Sequence, residues 1–200
     1  MPLQNRVDPF GTILATPARG LFMGNRGGRL HEPATRTLMK LRWASKAWIC
    51  CLTEFRGRYR PVMGAGYTEL FFLDEVTALA AGHRPCFECR HKDARRFADL
   101  HAPGTRASDL DRLAHPERIA GPRQAPAEPL PDGAMVAVAD KAYALRQGHY
   151  LEWSPFGYVA AVPPDEMPPL RLLTPGVFLG ILSRGYLPVW HPSATRLIEG

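Results

Sequence analysis

The sequence of 200 residues contains no long apolar segment. No stretch approaches the roughly 18 continuous apolar residues that are needed to cross a bilayer. The first ten residues also lack the basic and then apolar order of a signal peptide. From these two absences we expect a cytoplasmic protein that has no membrane partner.

Cysteine is scarce, and two common nucleotide-binding motifs are missing. The chain has four cysteines, which in a reducing compartment are expected to be thiols or metal ligands rather than disulfides. The glycine-rich run 23–29 is not followed by the Gly-Lys-Ser/Thr of a Walker loop, and no buried strand precedes it as in a dinucleotide-binding motif. This run is therefore interpreted as a flexible turn, with a backbone nest for an anion as the alternative.

Acidic residues are rare in one part of the chain. Residues 19–60 contain ten basic residues and only two acidic ones, and the net charge is +7 for residues 1–100 but −1 for residues 101–200. This asymmetry predicts an anionic partner for the first half, although genomic codon bias is an alternative source of arginine. The candidate nucleic-acid or phosphate contacts are Arg26, Arg29, Arg42, Arg56, Arg58 and Arg60.

Turn-forming residues are abundant, with 20 prolines and 18 glycines, which predicts short elements rather than a helical bundle. Asp74 should cap a helix that ends at Gly82. The patterns of apolar residues predict further helices at 33–44, 93–100, 108–114 and 177–184. They predict strands at 12–15, 48–55, 59–63, 67–73, 134–138, 143–145, 150–153 and 158–162, with 48–55 and 59–63 paired as a hairpin.

Cys86 and Cys89 are separated by two residues and lie between two predicted helices. This spacing allows both sulfurs to bind one metal ion, and a tetrahedral zinc then needs two more ligands. Cys50 and Cys51 lie upstream in a predicted strand, where adjacent side chains point to opposite faces, so only one can readily meet the Cys86–Cys89 pair. All four cysteines are candidate ligands, and the histidines that could complete the site are His31, His83 and His91.

Residues 72–90 contain a predicted helix with an Asp/Glu start, followed by the motif Ala-Gly-His-Arg-Pro-Cys-x-x-Cys-Arg. This segment resembles the latter half of the zinc-binding N-terminal domain of Ada-type DNA alkylation-repair proteins, and the looser similarity covers residues 48–92. The resemblance implies a four-thiolate zinc site that includes Cys86 and Cys89, in a small α+β domain that touches the DNA backbone.

The chain also departs from that family. In the family, three residues separate the two upstream cysteines, and the first of them accepts a methyl group from a phosphotriester. Here Cys50 and Cys51 are adjacent, and His83 stands where the family has an aromatic residue before Arg-Pro. The resemblance therefore implies zinc binding first, with methyl transfer as an alternative.

These observations together predict an α+β fold: a small zinc-stabilised α/β subdomain followed by a short antiparallel meander with a C-terminal helix. We expect a basic zinc-binding domain over residues 1–120, a proline-rich linker over 121–132 and a small α+β subdomain over 133–200. The predicted function is zinc binding combined with contact to nucleic acid or another phosphate-bearing partner. A zinc-thiolate alkyl acceptor with Cys50 or Cys51 as nucleophile, and a non-catalytic protein-interaction module, are the alternatives. The sequence predicts neither an enzymatic reaction nor an oligomeric state.

Overall fold

The structure is a computed structural model that describes residues 1–59, 61–126 and 128–199. It has the predicted α+β architecture. The helices are α1 (Glu75–Ala80), α2 (His91–His101), α3 (Ala107–Ala120), α4 (Gly176–Ser183) and α5 (Pro192–Glu199). In chain order the strands are β1 (Gln4–Val7), β2 (Ile13–Ala15), β3 (Phe22–Arg26), β4 (His31–Glu32), β5 (Thr37–Leu38), β6 (Trp48–Leu52), β7 (Leu70–Phe72), β8 (Arg84–Pro85), β9 (Arg123–Gln124), β10 (Met135–Val138), β11 (Lys141–Arg146), β12 (His149–Ser154), β13 (Gly157–Val162) and β14 (Arg171–Leu172).

The strands form two six-stranded sheets and one two-stranded hairpin. The first sheet has the order β2-β1-β7-β3-β6-β8, with β1–β7 and β6–β8 parallel and the other neighbours antiparallel. The second sheet has the order β13-β12-β11-β10-β14-β9 and is antiparallel throughout. Strands β10 to β13 form the predicted meander, while β9, in the segment predicted as a linker, extends the second sheet through β14.

The short helix α1 lies between the two sheets, and all six of its residues are buried. Asp74 caps it as predicted: the carboxylate accepts from the Thr77 N–H at 2.8 Å. The same carboxylate accepts from the Tyr158 hydroxyl at 2.9 Å, which joins the start of the helix to β13. Gly82 follows the helix with φ +81°, a conformation that favours glycine. A Cβ there would lie 2.6 Å from Cγ of Arg118.

Side chains from both halves of the chain share hydrophobic clusters. Val76 and Ala80 pack with residues of the second sheet, including Met135 and Leu151. On another side of the helix, Leu79 joins apolar side chains of α2, α3 and α4. Ala78 and Ala81 pack against the first sheet. The division into separate domains at 121–132 stays a prediction, but α1 contributes to packing with both sheets.

Two predicted elements are wrong. Residues 33–44 form no helix; His31–Glu32 and Thr37–Leu38 pair instead as a small hairpin, with Arg36 in its turn at φ +54°. The strand predicted at 59–63 is absent from the described residues of that segment. It has no available partner, because β6 is already paired with β3 on one edge and β8 on the other.

The remaining predicted elements are confirmed with shifted ends. Helix α3 is longer than expected, reaching Ala120, and α4 is the predicted C-terminal helix. Helix α5 was not predicted, and it packs against β13 and β12. Among the described residues, no helix has the length and apolar character needed to cross a membrane.

Candidate metal centre

The pairing of β6 with β8 brings two distant cysteines together. The strands are parallel, and Cys50 is paired with Pro85. The N–H of Cys86 donates to the carbonyl of Cys50 at 2.9 Å, which extends the ladder by one residue. Cys51 and Cys86 therefore lie side by side at the edge of the first sheet.

A tight turn then returns the chain so that Cys89 joins this pair. The Arg90 N–H donates to the Cys86 carbonyl at 3.0 Å, and α2 begins at the next residue. The Sγ atoms of Cys51, Cys86 and Cys89 all lie within 4.8 Å of one another. This group of three sulfurs is referred to below as the cysteine cluster. It has the geometry of a site that could hold a metal ion.

Backbone groups support the sulfurs of the cysteine cluster. The Glu88 N–H donates to Sγ of Cys86, and the Leu52 N–H donates to Sγ of Cys89, both at 3.4 Å. Hydrogen bonds donated to sulfur favour the thiolate over the thiol. Cys51 and Cys86 are buried and Cys89 is half-buried, so the cluster has one side towards solvent.

Without a cation the three sulfurs compete for protons. Hydrogen bonds from Cys51 and Cys89 lower the pKa of Cys86 to about 2. Hydrogen bonding to Cys86 and Cys89 raises the pKa of Cys51 well above its ordinary value. The cluster alone thus favours one thiolate that neighbouring thiols stabilise, and a bound cation is what would allow all three to be thiolates.

Cys50 points to the opposite face of β6. It is fully buried in the cluster of apolar residues that packs against α1. Burial raises the pKa of this thiol well above its ordinary value, and its Sγ accepts from a guanidinium N–H of Arg90 at 3.6 Å. Of the two adjacent cysteines, the structure brings only Cys51 to Cys86 and Cys89, as the alternation of side chains along a strand requires.

The three candidate histidines lie elsewhere. Both ring nitrogens of His31 have partners, Thr68 Oγ1 at 2.7 Å and the Gly64 carbonyl at 2.8 Å. His83 is buried between the rings of Trp48 and Phe72. His91 is exposed at the start of α2. In the part of the chain that the structure describes, no fourth His, Cys, Asp or Glu joins the cysteine cluster.

Arg26, a predicted phosphate contact, is an interior residue with 2% of its surface exposed. Its guanidinium carbon lies 4.1 Å from the centre of the Trp48 ring, and that of Arg118 lies 5.0 Å from the same ring. Burial, followed by the charges of Arg42 and Arg118, lowers the pKa of Arg26 to about 9. Its Nε donates to Nε2 of His83 at 3.3 Å. Arg26 therefore makes its contacts inside the protein rather than at a surface that could bind phosphate.

The other predicted phosphate contacts are at the surface, apart from Arg60, which lies outside the described residues. Arg29 donates to the Ala65 carbonyl at 3.4 Å, and Arg42 lines a small pocket beside Trp48. Arg56 stacks on Phe55. Arg58 forms an ion pair with Glu88 at 2.6 Å, and Glu88 directly precedes Cys89 of the cysteine cluster.

The cysteine cluster lies at one end of a pocket of about 400 Å³. Alternate residues of three strands form its floor, among them Met23 of β3, Cys51 of β6 and Phe71 of β7. The intervening residues of the same strands face α1, which is why one face of the sheet is left for the pocket. Residues from 53–59 and 61–69 also line the pocket, among them Glu54 and Tyr59.

No similar protein was found. Comparisons with models of known protein families, with curated proteins and with solved structures gave no match. The resemblance of residues 72–90 to the Ada-type zinc domain therefore stays a prediction. What can be stated from the geometry is that the chain has a three-cysteine site able to hold a metal ion, placed at the end of a pocket.

Sequence reasoning missed the pocket and the residues that form its floor. The available signal was the alternation in β3, where Phe22 and Gly24 face the core while Met23 does not. That signal indicates a two-faced strand, but it does not reveal which segment covers the second face. The pairing of β3 with β6 and β7 shows which residues share that face, because it sets Met23 beside Cys51 and Phe71.

Proposed function

We propose that the protein is a zinc protein in which Cys51, Cys86 and Cys89 bind one Zn²⁺ through their thiolates. The observation that supports this most directly is the separation of the three sulfurs, which all lie within 4.8 Å of one another. Tetrahedral zinc with Zn–S bonds of about 2.3 Å places its sulfur ligands about 3.8 Å apart. Small rotations of the cysteine side chains close the cluster onto an ion of this size.

A zinc held by these three thiolates would have a fourth position open, and all three cysteines line the pocket. Neither His31, His83 nor His91 reaches the cluster, and the described residues offer no fourth protein ligand there. A zinc with three protein ligands and one exchangeable position is typical of catalytic centres, whereas structural zinc has four protein ligands. The proposal is accordingly a zinc centre that binds a ligand or substrate rather than a closed cross-link.

Metal analysis of untagged protein and of four single variants tests the proposal. We expect about one zinc per chain in the wild type and its loss in C51S, C86S and C89S. C50S is the matched control, since Cys50 is adjacent in the same strand and faces the other side of the sheet. A metal-free wild type, or a C51S variant that retains zinc as C50S does, would contradict the assignment.

A phosphate-bearing partner such as nucleic acid is the second candidate function. It is supported by Arg29, Arg42 and Arg56, which are exposed and make no ion pair with a carboxylate within residues 1–59, 61–126 and 128–199. Replacing all three by Gln should weaken binding to a generic duplex and reduce its dependence on salt. Arg112→Gln on α3 is the control. Binding that does not respond to salt would refute this candidate.

Alkyl transfer to a zinc-bound thiolate is a third candidate, and it is supported by the position of Cys51 in the lining of the pocket. The thiolate would attack a methyl carbon, the bond from that carbon to the phosphotriester oxygen would break, and the phosphodiester anion would leave. Intact-mass measurement after exposure to methylated DNA tests it. Added methyl mass on Cys51 is the expected result, and an unmodified protein removes the candidate.

A further inference from the structure

The pocket at the cysteine cluster continues into a second one. A neighbouring pocket of about 520 Å³ shares Thr53, Val62 and Phe71 with the first as lining residues. Its far end is formed by the N-terminal segment and includes Arg6 and Arg19. Because the two pockets share these lining residues, they adjoin on one face of the first sheet, and the pair is called the cleft below.

The strand register gives the length of this cleft. Cys51 of β6 is paired with Met23 of β3, Met23 with Phe71 of β7, and Phe71 with Arg6 of β1. Paired residues on neighbouring strands lie on the same face, and the strands are about 4.8 Å apart. Three such steps separate the backbones of Cys51 and Arg6 by roughly 14 Å. The cleft therefore fits an extended small molecule.

The two ends of the cleft differ in charge. The pocket at the cysteine cluster is lined by Glu54, Glu69 and Glu88, and also by Arg58, whose charge is paired with that of Glu88. In contrast, the described lining of the second pocket contains Arg6 and Arg19 and no Asp or Glu. A carboxylate or phosphate on a ligand would accordingly be repelled at the first end, unless it bound the metal, and attracted at the second.

The arginine end has donors available for an oxyanion. Arg6 stacks on Phe71 with its guanidinium carbon 4.8 Å from the ring centre. Its Nε donates to the Ala18 carbonyl at 2.5 Å and its Nη1 donates to Oδ1 of Asn5, which leaves Nη2 without a partner among the described residues. Partial burial and the nearby charge of Arg19 lower the pKa of Arg6, an effect that a bound anion would reverse. Buried Asn5 also lines this pocket, and its Nδ2 has no partner within the described residues.

We propose that the cleft binds an extended small molecule that carries an oxyanion, phosphate or carboxylate, at Arg6 and Arg19 and a metal-binding group at its other end. The metal-binding group takes the fourth position on the zinc, so this inference rests on the proposed function. Between the two ends, Met23, Phe71 and Val62 provide an apolar surface for the middle of the molecule.

The test uses protein loaded with Co²⁺, whose visible absorption bands in a thiolate site respond to a change of the fourth ligand. The probes are ω-mercaptoalkylphosphonates, ω-mercaptocarboxylates and plain alkanethiols of graded length, titrated without oxygen. We expect every thiol to shift the cobalt bands. The anionic probes that match the cleft should bind at least tenfold more tightly than alkanethiols of equal length, which is about 1.4 kcal/mol.

The variant Arg19→Gln should reduce the affinity advantage of the anionic probes over alkanethiols of equal length to less than about threefold. The affinity for the alkanethiols themselves should not change. Arg19 is exposed, so the variant is expected to fold, and Arg95→Gln on α2 is the control. Failure to bind Co²⁺ overturns the metal site and this inference together. Cobalt binding without a thiol-induced shift, or an anion advantage that is absent or survives in Arg19→Gln, overturns this inference and leaves the metal site standing.

Discussion

Glu75 at the start of α1 is expected to be one of the most sensitive positions in the molecule. Its side chain is fully buried and forms an ion pair with Arg90 at 2.8 Å. It also accepts from the Tyr186 hydroxyl at 2.7 Å and from the Val189 N–H at 3.0 Å. Because Arg90 follows Cys89 directly, this carboxylate attaches the turn of the cysteine cluster to α1 and to the C-terminal part of the chain.

Replacing Glu75 by Gln keeps the volume, but among the described residues it leaves Arg90 only Asp93 as an ionic partner, and the Asp93 side chain is 53% exposed. Loss of one partner of a buried ion pair costs about 3–5 kcal/mol. The remaining contact with Asp93 favours the lower end, about 3 kcal/mol of unfolding free energy. Glu75→Ala should cost about 1–3 kcal/mol more, since Tyr186 and Val189 then lose their acceptor as well.

Urea denaturation monitored by tryptophan fluorescence measures these free energies. For a chain of this size, about 3 kcal/mol corresponds to a decrease in Tm of roughly 6–12 °C. Asp93→Asn is the control, and the removal of this exposed partner should cost less than about 1 kcal/mol. If Glu75→Gln costs no more than Asp93→Asn, the carboxylate is not buried against Arg90 and the reasoning fails.

Three further predictions concern pH, the backbone and the metal. Burial lowers the pKa of His83 well below its ordinary value. Below about pH 6.5 the unfolded chain therefore binds a proton at this histidine that the folded chain does not bind. The free energy of unfolding should then fall with acidification by up to about 1.4 kcal/mol per pH unit. The urea midpoint should change less between pH 7.5 and pH 5 in His83→Gln than in the wild type. An equal change in both proteins would contradict this prediction. Gly82→Ala should cost at least about 1 kcal/mol more than Gly104→Ala in the same assay: both have positive φ, but only at Gly82 does a Cβ meet a side chain, that of Arg118. Removal of zinc by a chelator should lower the Tm by roughly 10 °C or more in calorimetry. An unchanged Tm would mean that metal binding at the cysteine cluster does not stabilise the fold.

Elements with strong local signals could be predicted from the sequence. Asp74 and Gly82 bracket α1 because a side-chain cap and a left-handed glycine act over a few residues. The meander from β10 to β13 was predicted by alternation and turns alone. The helix expected at 33–44 is absent because its apolar spacing does not mark a buried face: Ala34 is exposed, Leu38 is half-buried and Leu41 is 50% exposed.

In the candidate site, too, the features set by nearby residues could be predicted from the sequence, whereas those set by tertiary contacts could not. Cys86 and Cys89 are recognisable from their spacing, and strand alternation predicts that only one of Cys50 and Cys51 can lie beside them; in the structure that residue is Cys51. Which of the two joins depends on which face of β6 packs against α1, and this is set by tertiary contacts. Arg6 could not be connected with the cysteines from sequence, since three strand pairings lie between them.

The central position of α1 has a consequence for the order of folding during synthesis. The helix leaves the ribosome well before the second sheet, yet Val76 and Ala80 pack against residues such as Met135 and Leu151. At 5–20 residues per second, the roughly 80 residues between the end of α1 and the end of β13 take about 4–16 s to be made. During that interval one side of α1 has no apolar partner. The nascent chain is therefore expected to need shielding by a chaperone until the second sheet forms.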